Sequence, residues 1–194
     1  MTTERSMEAG GLQSPAPVLI RIWDPLVRVF HWSLVLLVCV AWLTPDSLKT
    51  VHQAAGYLIA ALLGLRLVWG FVGTRPARFS DFLHGPRKTL AYIADIRAGR
   101  AARHLGHNPA GGAMIVLLML TIAATIALGH MQTLDRFWGV GLLEDLHEAA
   151  ATAILVLVGL HVFGVIHASL HHRENLVISM IDGLKPGQDR PADQ

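Results

Sequence analysis

The sequence predicts an all-α integral membrane protein, a four-helix bundle with both termini on the cytoplasmic side. Three observations carry that prediction. Of the 194 residues, 53% are hydrophobic and only 15% are charged, with a mean hydropathy of +0.46; an ordinary soluble domain has ~25% charged residues. Four segments are long and apolar enough to cross a bilayer, which takes ~20 residues each. The Lys and Arg residues are also strongly biased to one side. Disordered, disulfide-built and typical soluble enzyme classes are excluded by the same numbers.

The first span runs from Val27 to Leu43, with no charge between Ser33 and Trp42. Pro25 suits its first turn, where the missing N–H costs nothing. The second runs from His52 to Val72, with Arg66 as its only formal charge. The third runs from Gly112 to His130, and the fourth from His147 to His167 with Glu148 near its start. Pro45 and Asp46 are read as a short turn between the first two. As helices of a soluble core, four such segments in 194 residues would leave too little polar surface to cover them.

Outside the spans, residues 1–20 read as a flexible N-terminal tail and 184–194 as a C-terminal tail, leaving 21–183 as the membrane domain. The long connection Gly73 to Gly111 is basic. Within it, Leu90, Ile93 and Ile96 have helical spacing, which predicts a helix in Pro86–Leu105, either lying on the headgroups or serving as a solvated linker. Of 16 Lys and Arg, only Lys49 and Arg136 fall on the side opposite the termini, so fourteen lie on the terminal side. That side is therefore cytoplasmic. The cations of the basic loop are spread along it, with Phe79, Phe82 and Tyr92 as its only aromatics, so topology explains it better than nucleic-acid binding.

One cysteine, Cys39, excludes an intrachain disulfide, a CxxCH haem attachment and a thiolate zinc site. Eleven histidines need an explanation, because ionisable residues in an apolar chain are costly. Depth sorts them. His31 lies toward the cytoplasmic face of the first span, and His52 opens the second at the outer face. His147 and His161 lie on one side of the fourth span, ~21 Å apart in depth at 1.5 Å per residue. Two pairs follow: His31 with His161, and His52 with His147. Facing imidazoles suit the two axial positions of haem iron, whereas zinc would need further ligands that no nearby Cys, Asp or Glu supplies. Gly56, one turn after His52, leaves a gap through which a flat ring can approach. Arg28, Arg66 and Lys49 are candidates, by depth, for holding haem propionates, with interfacial snorkelling as the competing reading. His130 is a reserve ligand. His167, His171 and His172 fall at the headgroup level, and His84, His104 and His107 belong to the polar connection and are read as non-ligands.

Several stretches resemble the prokaryotic cytochrome b561 family, which is related to the b-type cytochrome subunit of nickel–iron hydrogenase. They are RIWDPLVRVFHW (Arg21 to Trp32), VHQAAGYLIAALLGLRLVWGFVGTRPARFSDF (Val51 to Phe82), LGHNPAGG (Leu105 to Gly112) and the run from Leu146 to Gly183. Their order and spacing, more than any one alone, carry the resemblance. It implies a four-helix membrane cytochrome with two non-covalent b haems, ligated at His31, His52, His147 and His161. It also implies a quinone or quinol as the membrane-side partner and a c-type cytochrome or another redox subunit as the outer one. Three functions follow in order: a di-haem electron carrier in the bacterial inner membrane, a haem-bearing anchor of a peripheral redox enzyme such as a hydrogenase, and a haem-free transporter or proton channel. No catalytic residue is assigned beyond the haem ligands, and a dimer is compatible with the sequence.

Overall fold

The structure is a computed structural model that describes residues 18–45 and 47–187. Its four long helices are α1 (Pro25–Leu43), α2 (Lys49–Val72), α5 (Pro109–Met131) and α6 (Gly141–His172). Each is long and apolar enough to cross a membrane. Between α2 and α5 lie a 3-10 turn (Arg75–Ala77), the short α3 (Phe79–Phe82) and α4 (Pro86–Arg97). After α6 come α7 (Leu176–Asp182) and a strand β2 (Leu184–Pro186), which pairs antiparallel with β1 (Leu19–Arg21). The turn between α1 and α2 contains Asp46, which lies outside the described residues, as does most of each tail.

Local chemistry fixes the starts of the helices. Asp24 caps α1, accepting from the Val27 backbone N–H at 2.9 Å, with Pro25 in the first turn. Asn108 caps α5 in the same way, accepting from the Gly111 N–H at 2.7 Å, followed by Pro109. The fourth span is longer than its apolar stretch. Its 32 residues make ~48 Å of helix, against a hydrocarbon core of ~30 Å. The extra first turn carries Glu144, and acidic residues are favourable at a helix N-terminus. Hydropathy marks where a helix is apolar, not where it ends.

The bundle is two hairpins, α1–α2 and α5–α6, joined at mid-depth by one apolar layer. Ile59 and Leu63 of α2 meet Ile122 of α5 and Ile154 of α6, flanked by Leu34, Leu37 and Val38 of α1. The outward faces carry Phe71, Val72, Leu120, Val156 and Phe163, all exposed in the isolated chain. An apolar exterior of this kind is the surface that a helix bundle presents to lipid.

A collar closes the end of the bundle where β1 and β2 pair. Ile22, Trp23, Val27 and Ala77 form its core, packed by Trp69, Leu105 and Met180. Gly70 gives α3 room, since a Cβ there would lie 2.1 Å from the Phe79 ring. The strands β1 and β2 extend ordered structure into both stretches read from the sequence as tails. They are held by a ladder and by a buried ion network, which no local pattern reveals. Lys185 Nζ donates to Glu174 at 3.2 Å, and Arg103 donates to Glu174 at 3.0 Å and to the Pro186 carbonyl at 2.7 Å. Burial lowers the Lys185 pKa, partly offset by the Glu174 carboxylate. Glu174→Ala strands Lys185 without its anion, and breaking such a pair costs about 3 kcal/mol. The expected result is a lower melting temperature in detergent with unchanged haem absorbance at 20 °C or any temperature well below melting.

A helix is present in the basic connection as α4 but stops at Arg97, because Gly99 turns the chain with φ +68°. Leu90 is exposed, while Tyr92 is buried and donates to the Ala102 carbonyl at 3.1 Å.

Candidate haem centre

Four histidines meet across the two hairpins. His31 of α1 faces His161 of α6 with ring centroids 6.5 Å apart, and His52 of α2 faces His147 of α6 at 6.0 Å. The interplanar angles are 50° and 71°. An imidazole nitrogen binds a metal at ~2.0–2.1 Å, so rings on opposite sides of one iron have centroids about 6 Å apart. On α6 the sequence His147, Ile154, His161 repeats every seven residues and forms a single inward stripe. Ile154 lies in the mid-depth apolar layer. The two pairs are therefore separated by hydrocarbon, with one at each end of the bundle.

The outer pair is oriented by backbone carbonyls. His52 Nδ1 lies 2.8 Å from the Ala41 carbonyl and His147 Nδ1 lies 2.9 Å from the Thr125 carbonyl. A carbonyl only accepts, so each Nδ1 carries the proton and each Nε2 keeps its lone pair. This is the tautomer a metal needs at Nε2, fixed by the hydrogen bond at the other nitrogen. In the inner pair, His31 Nδ1 is buried and has no protein partner.

Among the described residues, no group of three or more His, Cys, Asp or Glu side chains gathers to hold a metal ion. The histidines come in twos. A porphyrin already supplies four ligands and leaves two axial positions. The sequence of the matched family profile, described as prokaryotic cytochrome b561, aligns over residues 22–183.

The chain belongs to the prokaryotic cytochrome b561 family.

Curated relatives of this b561 chain include three proteins named probable Ni/Fe-hydrogenase B-type cytochrome subunit. The one from Bradyrhizobium diazoefficiens is 23% identical, over 94% of this chain and 92% of the relative. The one from Rhodobacter capsulatus is 24% identical, over 88% and 82%. The one from Azotobacter vinelandii is 24% identical, over 97% and 98%. No solved structure matches the chain. Family and spans together make it a multi-pass bacterial membrane protein of the b-type cytochromes, and such proteins bind haem b. The donor sets fit that group: paired neutral imidazoles, two of them locked as Nδ1–H tautomers.

The b561 fold distributes the other candidate residues unevenly. A Cβ at Gly56 would meet nothing within 4 Å, so the space beside it is open. Lys49 is exposed in the first turn of α2. Arg66 is 3% exposed, donates to the Ala77 carbonyl at 3.0 Å and lies over the Phe79 and Phe82 rings at 5.2 and 5.8 Å. It belongs to the terminal end, with His31. Arg28 Nη1 donates to the Ile181 carbonyl. His130 joins neither pair; its Nδ1 is 3.1 Å from the Tyr57 hydroxyl. His167 and His171 are exposed and stack on each other at 6.0 Å. His84 and His104 turn back onto the Phe82 and Ala102 carbonyls.

Sequence reasoning missed two residues. His107 lies between Trp23 and Phe82, with ring centroids 4.5 and 4.9 Å away. Burial, then the Arg66 and Lys185 cations, push its pKa down to about 3, so it is neutral at physiological pH. Its place in a polar loop concealed this, and the flanking Asn-Pro cap of α5 was the only local signal. The second is Gly129, against which His147 packs. A Cβ there would lie 2.9 Å from His147 Cε1 and 3.1 Å from Nδ1. Gly129→Val is therefore expected to displace His147 and lower haem content, while Gly141→Val, where a Cβ meets nothing within 4 Å, leaves it unchanged. Haem-to-protein ratios of the two purified variants check this.

Proposed function

We propose that this cytochrome is a di-haem electron carrier that moves electrons across the membrane between the quinone pool and a redox partner. The observation that carries the reading is the pair of cross-hairpin histidine couples at opposite depths, with an apolar layer between them. A haem b held by each couple supplies reversible one-electron chemistry. The residues do the rest. His31 and His161 would hold one haem at the end where β1 and β2 pair, and His52 and His147 would hold the other at the opposite end. Ala41 and Thr125 hold the outer imidazoles in the ligating tautomer. Ile59, Leu63, Ile122 and Ile154 exclude water from the space between the sites. The excess of basic residues on the side of the N-terminal segment, the Gly73–Gly111 connection and the C-terminal tail supports a cytoplasmic position for that side.

The names of the relatives favour a redox enzyme as the outer partner. The second reading follows from them: a haem-bearing anchor subunit, reduced by its partner rather than by quinol. Quinol addition to the purified protein separates the two. Reduction of its b-type absorbance by a quinol alone is the expected result. No reduction by any quinol, in protein that dithionite does reduce, would leave the anchor reading.

A further inference from the structure

Among the described residues, four buried side-chain nitrogens have no hydrogen-bond partner: Arg28 Nε, His31 Nδ1, Arg66 Nη1 and His107 Nδ1. All four belong to the end of the bundle that holds His31 and His161. Arg66 and His107 both lie against the Phe82 ring. Arg28 Nε and the Trp23 carbonyl both border Gly183, and Trp23 packs on His107. His31 lies one turn after Arg28 on α1. The other end has no such set, since the Nδ1 atoms of His52 and His147 both face carbonyls.

A buried donor without an acceptor is costly, and a guanidinium nitrogen can only donate. A group of unmatched donors that includes two guanidinium ions calls for an anion with several lone pairs. The nearby carboxylates are already engaged. Asp24 accepts from Val27, Thr74 and Trp69. Glu174 accepts from Arg103 and Lys185. A bound group with several acceptor oxygens would satisfy these donors together.

We propose that Arg28, Arg66 and His107 form a carboxylate-receiving site that takes the propionates of the haem held by His31 and His161. The proposal rests on the di-haem reading and adds to it. Two guanidinium ions balance two carboxylates, and Arg is well suited to such pairing. His107, neutral in its aromatic slot, adds a hydrogen bond without a third charge. The inner haem is thereby anchored within the protein, whereas the exposed Lys49 leaves the outer haem's carboxylates to interfacial water.

The test uses full-length apoprotein reconstituted with haem b or with its dimethyl ester, in which both carboxylates are masked. Haem loss to excess apomyoglobin is followed by absorbance. With native haem, His107→Phe, which keeps the aromatic packing, and Arg66→Gln are each expected to accelerate one of two loss phases on the order of tenfold. His107→Gln, which keeps a donor, should lose haem at the wild-type rate. With the dimethyl ester, wild type should already lose that haem fast, and neither variant should add to it. An equal acceleration with both haems, or none with native haem, would overturn the carboxylate site. Wild-type protein that takes up only one haem would instead overturn the di-haem reading.

Discussion

His161→Ala is expected to remove one haem and leave the other. His161 faces His31 from α6, with ring centroids 6.5 Å apart, and in the proposed arrangement the two would hold one haem. Among the described residues, no Cys, Asp or Glu joins the pair to form a group of three that could substitute. Alanine would leave that haem only His31 to hold it. The outer pair should be unaffected. His147 is fixed by the Thr125 carbonyl and by Gly129, and fourteen residues of helix put it ~21 Å away. The haem-to-protein ratio should fall by about half, as one of two sites with axial pairs is lost. The remaining spectrum should be that of a six-coordinate, low-spin b haem. His167→Ala is the control: it changes an exposed histidine on the same helix and should keep full haem. Full haem content in His161→Ala would refute the assignment of that ligand.

An effect on stability as large as that of Glu174→Ala is expected from Asp24→Ala. One carboxylate serves three elements. Its Oδ1 accepts from the Val27 N–H at 2.9 Å, and its Oδ2 accepts from Trp69 Nε1 at 3.1 Å and Thr74 Oγ1 at 2.6 Å. It thus caps α1 and ties that helix to the end of α2 and to the turn beyond. A lost cap costs ~1 kcal/mol and a lost hydrogen bond to a charged group about 1.5–3. The shared group makes these non-additive, so about 3 kcal/mol in total is expected. That corresponds to a fall in melting temperature on the order of 10 °C. Asp24→Asn keeps an acceptor and should fall less. The contribution depends on pH in a defined direction. Burial alone would raise the Asp24 pKa, but the hydrogen bonds from Thr74, Val27 and Trp69 outweigh it and hold it below 3.8. The stabilisation is therefore present above that value and is lost as pH falls through the lower folded one. Wild type should lose stability relative to Asp24→Ala only in that acid window, with a flat difference at neutral pH. Thermal melts of both proteins across pH, in one detergent, check it.

The four spans were legible because they follow from a quantity that a sequence carries directly, apolar run length. The histidine couples were legible for a related reason. A helix has a fixed rise and a fixed turn, so His147 and His161 could be placed by depth and by face before any contact was known. The structure sets them against His52 and His31, as depth matched them. What could not be read depends on contacts between distant segments. Gly129 looks like one more small residue in a spanning helix until His147 is seen packed on it. His107 looks like a solvated loop residue until Trp23 and Phe82 enclose it. Likewise, β1 and β2 are each three residues long and acquire meaning only as a pair. Arg66 shows the limit most clearly. Its depth was evident, but its burial under two phenylalanine rings and its unmatched Nη1 were not.

The account's central claim is that each histidine couple holds one haem iron. The most direct measurement is the haem b content of the purified wild-type protein, taken together with its low-temperature electron paramagnetic resonance spectrum. The account predicts two haems b per chain, both low-spin and both with bis-imidazole signals. A single haem, a high-spin majority or a haem-free chain would contradict it.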